Sequence, residues 1–160
     1  MDKVIVTGLL VIASVTAAVL VITTILPTIS SSSQSVASAQ REAADRMRTS
    51  IEIIAVSSNA AGTQIDVWVK NVGTKTITAI DRSDVFLAQE GTRFDAMTYD
   101  QGGGPNTWKT ELNEPTWSRG DTLHIIIAIG GASEPVGDGD HTLMVSTPNG
   151  ITAEKSFQKP

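Results

Sequence analysis

Residues Val4 to Leu26 form a run of 23 uncharged, mostly apolar residues. No other feature of the chain restricts its fold as much. As a helix the run measures about 34 Å at 1.5 Å per residue. That crosses a hydrocarbon core of about 30 Å with some tilt. Its many Val, Ile and Thr residues favour a strand in water. In lipid a lone segment must satisfy its backbone internally, so there it is helical. A secretory signal has a shorter apolar core, roughly 7 to 15 residues, ending in small residues at a cleavage site. "TAA" at Thr16–Ala18 and the serines after Pro27 imitate such a site, but the run is too long. The sequence therefore predicts a permanent membrane helix. Its first end is flanked by Lys3 and the α-amino group, offset by Asp2, and the next basic residue is Arg41. This bias points to a cytoplasmic N-terminus.

Within the run, Ala13, Ser14, Ala17 and Ala18 make two overlapping small-xxx-small pairs. Small side chains let a second helix approach closely, so these four are the candidate residues for helix–helix association. The plain alternative is that Ala and Ser are common in any membrane helix. After Pro27 comes "TISSSSQSVASAQREAADRMRTS". Its four serines resemble a linker, whereas Ala, Gln, Arg, Glu and Met favour helix. Ile29, Val36 and Ala43 recur every seven residues, a narrow seam of coiled-coil type. One helix from Val4 to Thr49, bent at Pro27, is the expectation. A helix, a serine hinge and a second helix is the alternative. "REAADRMR" mixes signs and reads as a solvated face.

The pattern changes at Ile51, dividing the chain into a helical part, 1–50, and a second domain, 51–160. "IEIIAVS", "TQIDVWVKN", "TITAI", "DVFLAQ", "RFDAMTY", "WKTEL", "LHIIIAI", "HTLMVST" and "ITAEKSF" read as strands. In the second, Ile65, Val67 and Val69 alternate with Gln64, Asp66, Trp68 and Lys70. Turns are expected at "VGTK", where Gly73 is free to take positive φ, at "DRSD", at "EGTR" and around "NEPTWSRGD". Longer loops fall at "DQGGGPN" and "GGASEPVGDGD". Asn149 and Gly150 suit a tight closing hairpin. Eight or nine short strands at roughly ten-residue spacing predict an α+β chain: a long helix, then an antiparallel, immunoglobulin-like β-sandwich. "LHIIIAI" is its expected central strand.

The residues from Ile51 onward hold 14 acidic and 8 basic side chains. An acidic domain repels phosphate backbones, which argues against nucleic acid as a partner. There is no cysteine, hence no disulfide or thiolate metal site. His124 is expected to face solvent or a satisfied core position. Asp138, Asp140 and His141 form a cluster of a kind that suits a hard cation. It lacks further ligands at fixed spacing, and turn residues explain it equally well, so no metal or other cofactor is assigned. Asp81 and Asp84 read as turn residues. Gly102 to Gly104 lack the Lys-Ser/Thr and helix of a phosphate loop. No catalytic residue stands out, and the chain is not expected to be an enzyme. Trp68 lies opposite the Ile65–Val67–Val69 face, where a solvent-facing Trp would make a good partner contact. Coverage of both strand faces is the plain alternative.

An apolar first helix, a polar helical neck and a cysteine-free sandwich together resemble the archaeal flagellin superfamily. The residues that carry the resemblance are "LLVIASVTAAVLV", "DRMRTSIEIIAV", "DVWVKNVGTKTI", "SDVFLAQEG" and "VSTPNGITAEKSF". The turn in "VKNVGTKTI" and the "TPNG" hairpin look most like the FlaG type of archaellum accessory protein. The resemblance implies a non-enzymatic, membrane-anchored stator protein of the motility machinery. Its sandwich would lie outside the cytoplasmic membrane and bind a FlaF-like protein or a surface-layer protein. Archaellins, which polymerise through their first helix, carry a basic leader ending in a Lys/Arg-Gly type site. Here "MDK" precedes the apolar run and Thr7 precedes Gly8, which points to the accessory type. A filament subunit is the first alternative. An anchored module binding a cation or glycan at "GDGDH" is the second.

Overall fold

The structure, a computed structural model, describes residues 2–111, 116–131 and 135–159. Contacts divide the chain into two compact units, Met1–Ala43 and Ala44–Pro160. The expected features at Leu112–Pro115 and Ala132–Glu134 lie outside the described residues.

Helix α1 runs unbroken from Asp2 to Arg48, through Pro27 and the serine run. No hinge separates the apolar part from the neck. The serines are accommodated by bonding back to earlier carbonyls: Ser31 Oγ to Thr28 O at 3.0 Å, Ser35 Oγ to Ser31 O at 3.0 Å and Ser38 Oγ to Ser35 O at 2.9 Å. Asp2 in the first turn and Arg46 and Arg48 in the last have the signs that suit the helix dipole. The helix is long and apolar enough to cross a membrane.

The described residues of the second unit form ten strands: β1 (Ile51–Ser58), β2 (Gln64–Asn71), β3 (Ile77–Thr78), β4 (Asp84–Gln89), β5 (Arg93–Tyr99), β6 (Thr107–Thr110), β7 (Thr116–Trp117), β8 (Thr122–Ala128), β9 (Asp140–Ser146) and β10 (Thr152–Gln158). Eight join in the order β1-β2-β8-β6-β5-β4-β9-β10, and β3 pairs with β7. The ribbon folds on itself at β5, whose first part pairs with β4 and whose last residues pair with β6. The two halves enclose one core, to which Ile65, Val67, Ile125 and Ile127 contribute from one side and Leu87 and Leu143 from the other. The fold is the expected mostly antiparallel sandwich, with "LHIIIAI" an interior strand between β2 and β6. Strand β2 alternates as read, with Ile65, Val67, Val69 and Asn71 buried.

Several local expectations need correction. The pairing of β5 with β6 is parallel, Thr98 opposite Thr107 and Tyr99 opposite Trp108. The glycine-rich segment after Asp100 does not make a hairpin. It reverses the chain twice, with Gly103 at φ 74° and Asn106 at φ 55°. "TITAI" yields only two strand residues, because Ala79 turns left-handed at φ 56° and Ile80–Arg82 form a 3-10 turn. Thr116 and Trp117, read as turn, form β7. Gly73 does not use the left-handed region; what its site requires is the absence of a side chain, as shown next.

Candidate functional site

Two places gather the residues singled out in the sequence. The first is where the last helical turn meets the sandwich, entirely within the second unit. Arg48 O accepts bonds from Thr74 N at 2.8 Å and Lys75 N at 3.1 Å. Ser50 O accepts from Val72 N at 3.0 Å and Gly73 N at 2.9 Å. A Cβ on Gly73 would stand 2.5 Å from Ser50 N and 2.6 Å from Arg48 O. The turn after β2 thus caps the Arg48 carbonyl that the helix end leaves without a partner, and the Ser50 carbonyl just beyond it, and only glycine lets it come close enough. Asn149 of the closing hairpin donates to Thr49 Oγ1 at 2.7 Å, and Thr49 Oγ1 donates to Asp45 O at 2.8 Å. Lys75 pairs with Asp45. The "VGTK" turn and the "TPNG" hairpin therefore meet on the same few residues, Asp45 to Ser50.

The second place is the outer face of β2 and β8. Trp68 stands directly opposite His124 in the pairing. Their rings stack with centroids 4.8 Å apart and planes 2° from parallel. His124 Nε2 lies 3.0 Å from Asp66 Oδ1, and Nδ1 lies 3.1 Å from Glu111 Oε2. Gln64 Nε2 donates to Asp66 Oδ2 at 3.0 Å. Trp68 is half-buried against this ring, on the face opposite the core. Trp108 and Trp117 instead fill the interior. Sequence reasoning missed the grouping of His124 with Asp66 and Glu111. Alternation puts each on an outer face, but only strand order and register bring them together.

The "GDGDH" residues do not converge. His141 points into the core, and its Nε2 donates to Gly137 O at 3.0 Å. Asp138 and Asp140 are exposed, and Asp140 Oδ1 accepts from Gln158 Nε2 at 2.6 Å. Among the described residues no three His, Asp or Glu side chains are placed to hold a metal. The hydrogen bonds of the two histidines go to carboxylates and a carbonyl. Ala13, Ser14, Ala17 and Ala18 are all exposed on α1, and Ser14 Oγ bonds back to Val11 O at 2.8 Å. The large apolar side chains of the same segment, from Val4 at 78% exposure to Leu26 at 60%, have no protein cover.

Residues 3–157 match the family model of the archaeal-type flagellin. A protein of Archaeoglobus fulgidus described as uncharacterized is 30% identical over 159 residues, covering 97% of each chain. Among solved structures, the archaellum periplasmic stator protein FlaG from Sulfolobus acidocaldarius superposes with a TM-score of 0.57 at 24% identity. That match covers 68% of this chain and 99% of FlaG. The FlaF and FlaG stator complex of the same organism matches with the same score and identity, over 67% of this chain and 87% of that one. The archaeal flagellum of Methanospirillum hungatei gives a TM-score of 0.57 at 11% identity, over 99% of this chain and 91% of that one. At these identities the structural likenesses speak for the fold.

Proposed function

The chain belongs to the archaeal-type flagellin family and is an archaellum-related structural protein; from that premise we propose that it is a membrane-anchored, FlaG-like stator protein. Helix α1 anchors it through Val4–Leu26, with the N-terminus in the cytoplasm and the sandwich outside the cytoplasmic membrane. The sandwich binds a partner protein, of FlaF or surface-layer type, and Trp68 with its His124 stack is the proposed contact.

The observation that carries this reading is the uncovered apolar segment of α1. A helix whose Val, Ile and Leu side chains are 49% or more exposed over 23 residues needs lipid or sister helices around it. The junction supports a static role. A stator must transmit load between anchor and domain. Here the last helical turn is bonded to two separate loops by backbone and side chain. Those loops are the ones that carry the FlaG-type resemblance. Ala13, Ser14, Ala17 and Ala18 supply the face through which copies associate in the membrane.

A filament subunit is the second reading, favoured by the match to the flagellum structure over nearly the whole chain, helix included. Fractionation of native cells, with intact mass of the purified protein, separates the two. The stator reading expects the protein in alkali-washed membranes with the apolar segment intact. Recovery in sheared extracellular filaments selects the second reading. A soluble protein lacking Val4–Leu26 overturns both.

A further inference from the structure

Among the described residues, β1 and β10 are the outer strands of the eight-stranded sheet, and β5 has a partner along only part of its second side. The β1 and β10 edges lie beside each other and are closed. β1 carries a bulge between Ile53 and Ala55. Lys155 of β10 reaches across and donates to Ile53 O at 3.3 Å and Ile54 O at 2.6 Å. A bulge and a lysine are the usual devices that stop an edge from pairing with another chain.

The third edge carries neither a bulge nor a lysine, and its charged residues, Arg93 and Asp95, pair with each other. β5 pairs with β4 along Arg93–Met97 but meets β6 only at Thr98 and Tyr99. Thr98 N donates toward β6, to Asn106 O at 3.2 Å. Main-chain groups alternate sides along a strand, so those of Phe94 and Ala96 also point away from β4. Among the described residues no strand faces them. Phe94 is 69% exposed, and its ring lies 5.5 Å from that of Phe86. A large aromatic beside an open edge is what negative selection against association removes.

We propose that this edge is an interface between two copies of the chain, the β5 strands pairing antiparallel about a two-fold axis at Phe94. The charges select that occupant and that register. With Phe94 opposite Phe94 of the second copy, Arg93 faces the other Asp95 and Asp95 faces the other Arg93. Within one copy Arg93 and Asp95 already pair, yet Arg93 Nη2 is shielded from water without a hydrogen-bond partner. Phe94 lies at a position whose main-chain N–H and C=O both point outward, so the central pair exchanges two backbone bonds. Centring on Arg93 or on Asp95 instead sets like charges opposite each other, which destabilises a pair. The inference does not rest on the stator reading.

The chain contains no cysteine, so single cysteines in the full-length protein report the contact. Opposed residues of a hydrogen-bonded antiparallel pair have Cα atoms about 5.5 Å apart, within disulfide range. Phe94→Cys in detergent-solubilised protein is expected to form disulfide-linked dimers under mild oxidation. Ala96→Cys, on the same edge and also exposed, is expected to link at least about tenfold more slowly, because the two copies of position 96 stand roughly 14 Å apart along the strands. Adding Ala96→Pro to Phe94→Cys removes only an N–H that points outward, a change edge strands tolerate, and is expected to abolish the link. Equal rates for the two cysteines, or no dimer from Phe94→Cys, overturns the proposal. So does undiminished linking in a folded Ala96→Pro variant. If that variant unfolds, the comparison of the two cysteines decides alone.

Discussion

Replacing Gly73 with alanine should be among the most damaging one-carbon changes in the chain. The added Cβ would meet Ser50 N at 2.5 Å, Arg48 O at 2.6 Å and the Thr49 carbonyl carbon at 3.1 Å. All three are backbone atoms at the helix end, so no side chain can swing away. Ordinary contact begins at 3.4 Å, so the turn must retreat by about 0.9 Å. That stretches the bonds from Val72, Gly73, Thr74 and Lys75 to Ser50 O and Arg48 O, which now lie between 2.8 and 3.1 Å. Losing two to four of them at about 1 kcal/mol each gives roughly 2–4 kcal/mol. The stiffer unfolded chain returns about 0.4–1 kcal/mol, because Gly73 does not sit in the left-handed region. A net loss near 2–3 kcal/mol lowers the melting temperature of a domain this size by about 10 °C. Near-ultraviolet circular dichroism of the full chain reads it through the buried tryptophans. Gly137→Ala is the control, since its Cβ would meet nothing within 4 Å. If both variants melt within about 2 °C of the parent, the junction is not built as argued.

Trp68→Ala removes a half-buried stacking partner and should cost about 1–2 kcal/mol in denaturant unfolding. Trp108→Ala, which empties a fully buried site, should cost about 3–5 kcal/mol by the same measurement. Lys155→Ala should lower stability by about 1 kcal/mol. It should also produce concentration-dependent association by light scattering, because the β1 edge loses its cover. Calcium, or EDTA, should leave the melting temperature unchanged to within about 1 °C, since Asp138, Asp140 and His141 point to different places. A clear shift with calcium would restore the cation-binding alternative.

Much of the molecule was legible along the chain because it rests on periodicity and length. The uncharged run set a helix of membrane-spanning length regardless of anything downstream. Strict alternation in "TQIDVWVKN" set Ile65, Val67 and Val69 on one face of the strand and Trp68 on the other. The continuous apolar run "LHIIIAI" announced an interior strand. These are local properties, fixed by the repeat of the backbone and by which side chains water rejects.

What the linear reading could not supply is adjacency between distant segments. Only the pairing of β2 with β8 sets Trp68 against His124 and Asp66 beside the same ring. Only the meeting of two turns on the helix end explains Gly73, whose requirement is space and not backbone handedness. The parallel β5–β6 pair, which leaves Phe94 on an open edge, also depends on how a glycine-rich loop doubles back. Register and loop closure are decided by the summed packing of the whole sandwich, and no stretch of residues carries that sum by itself.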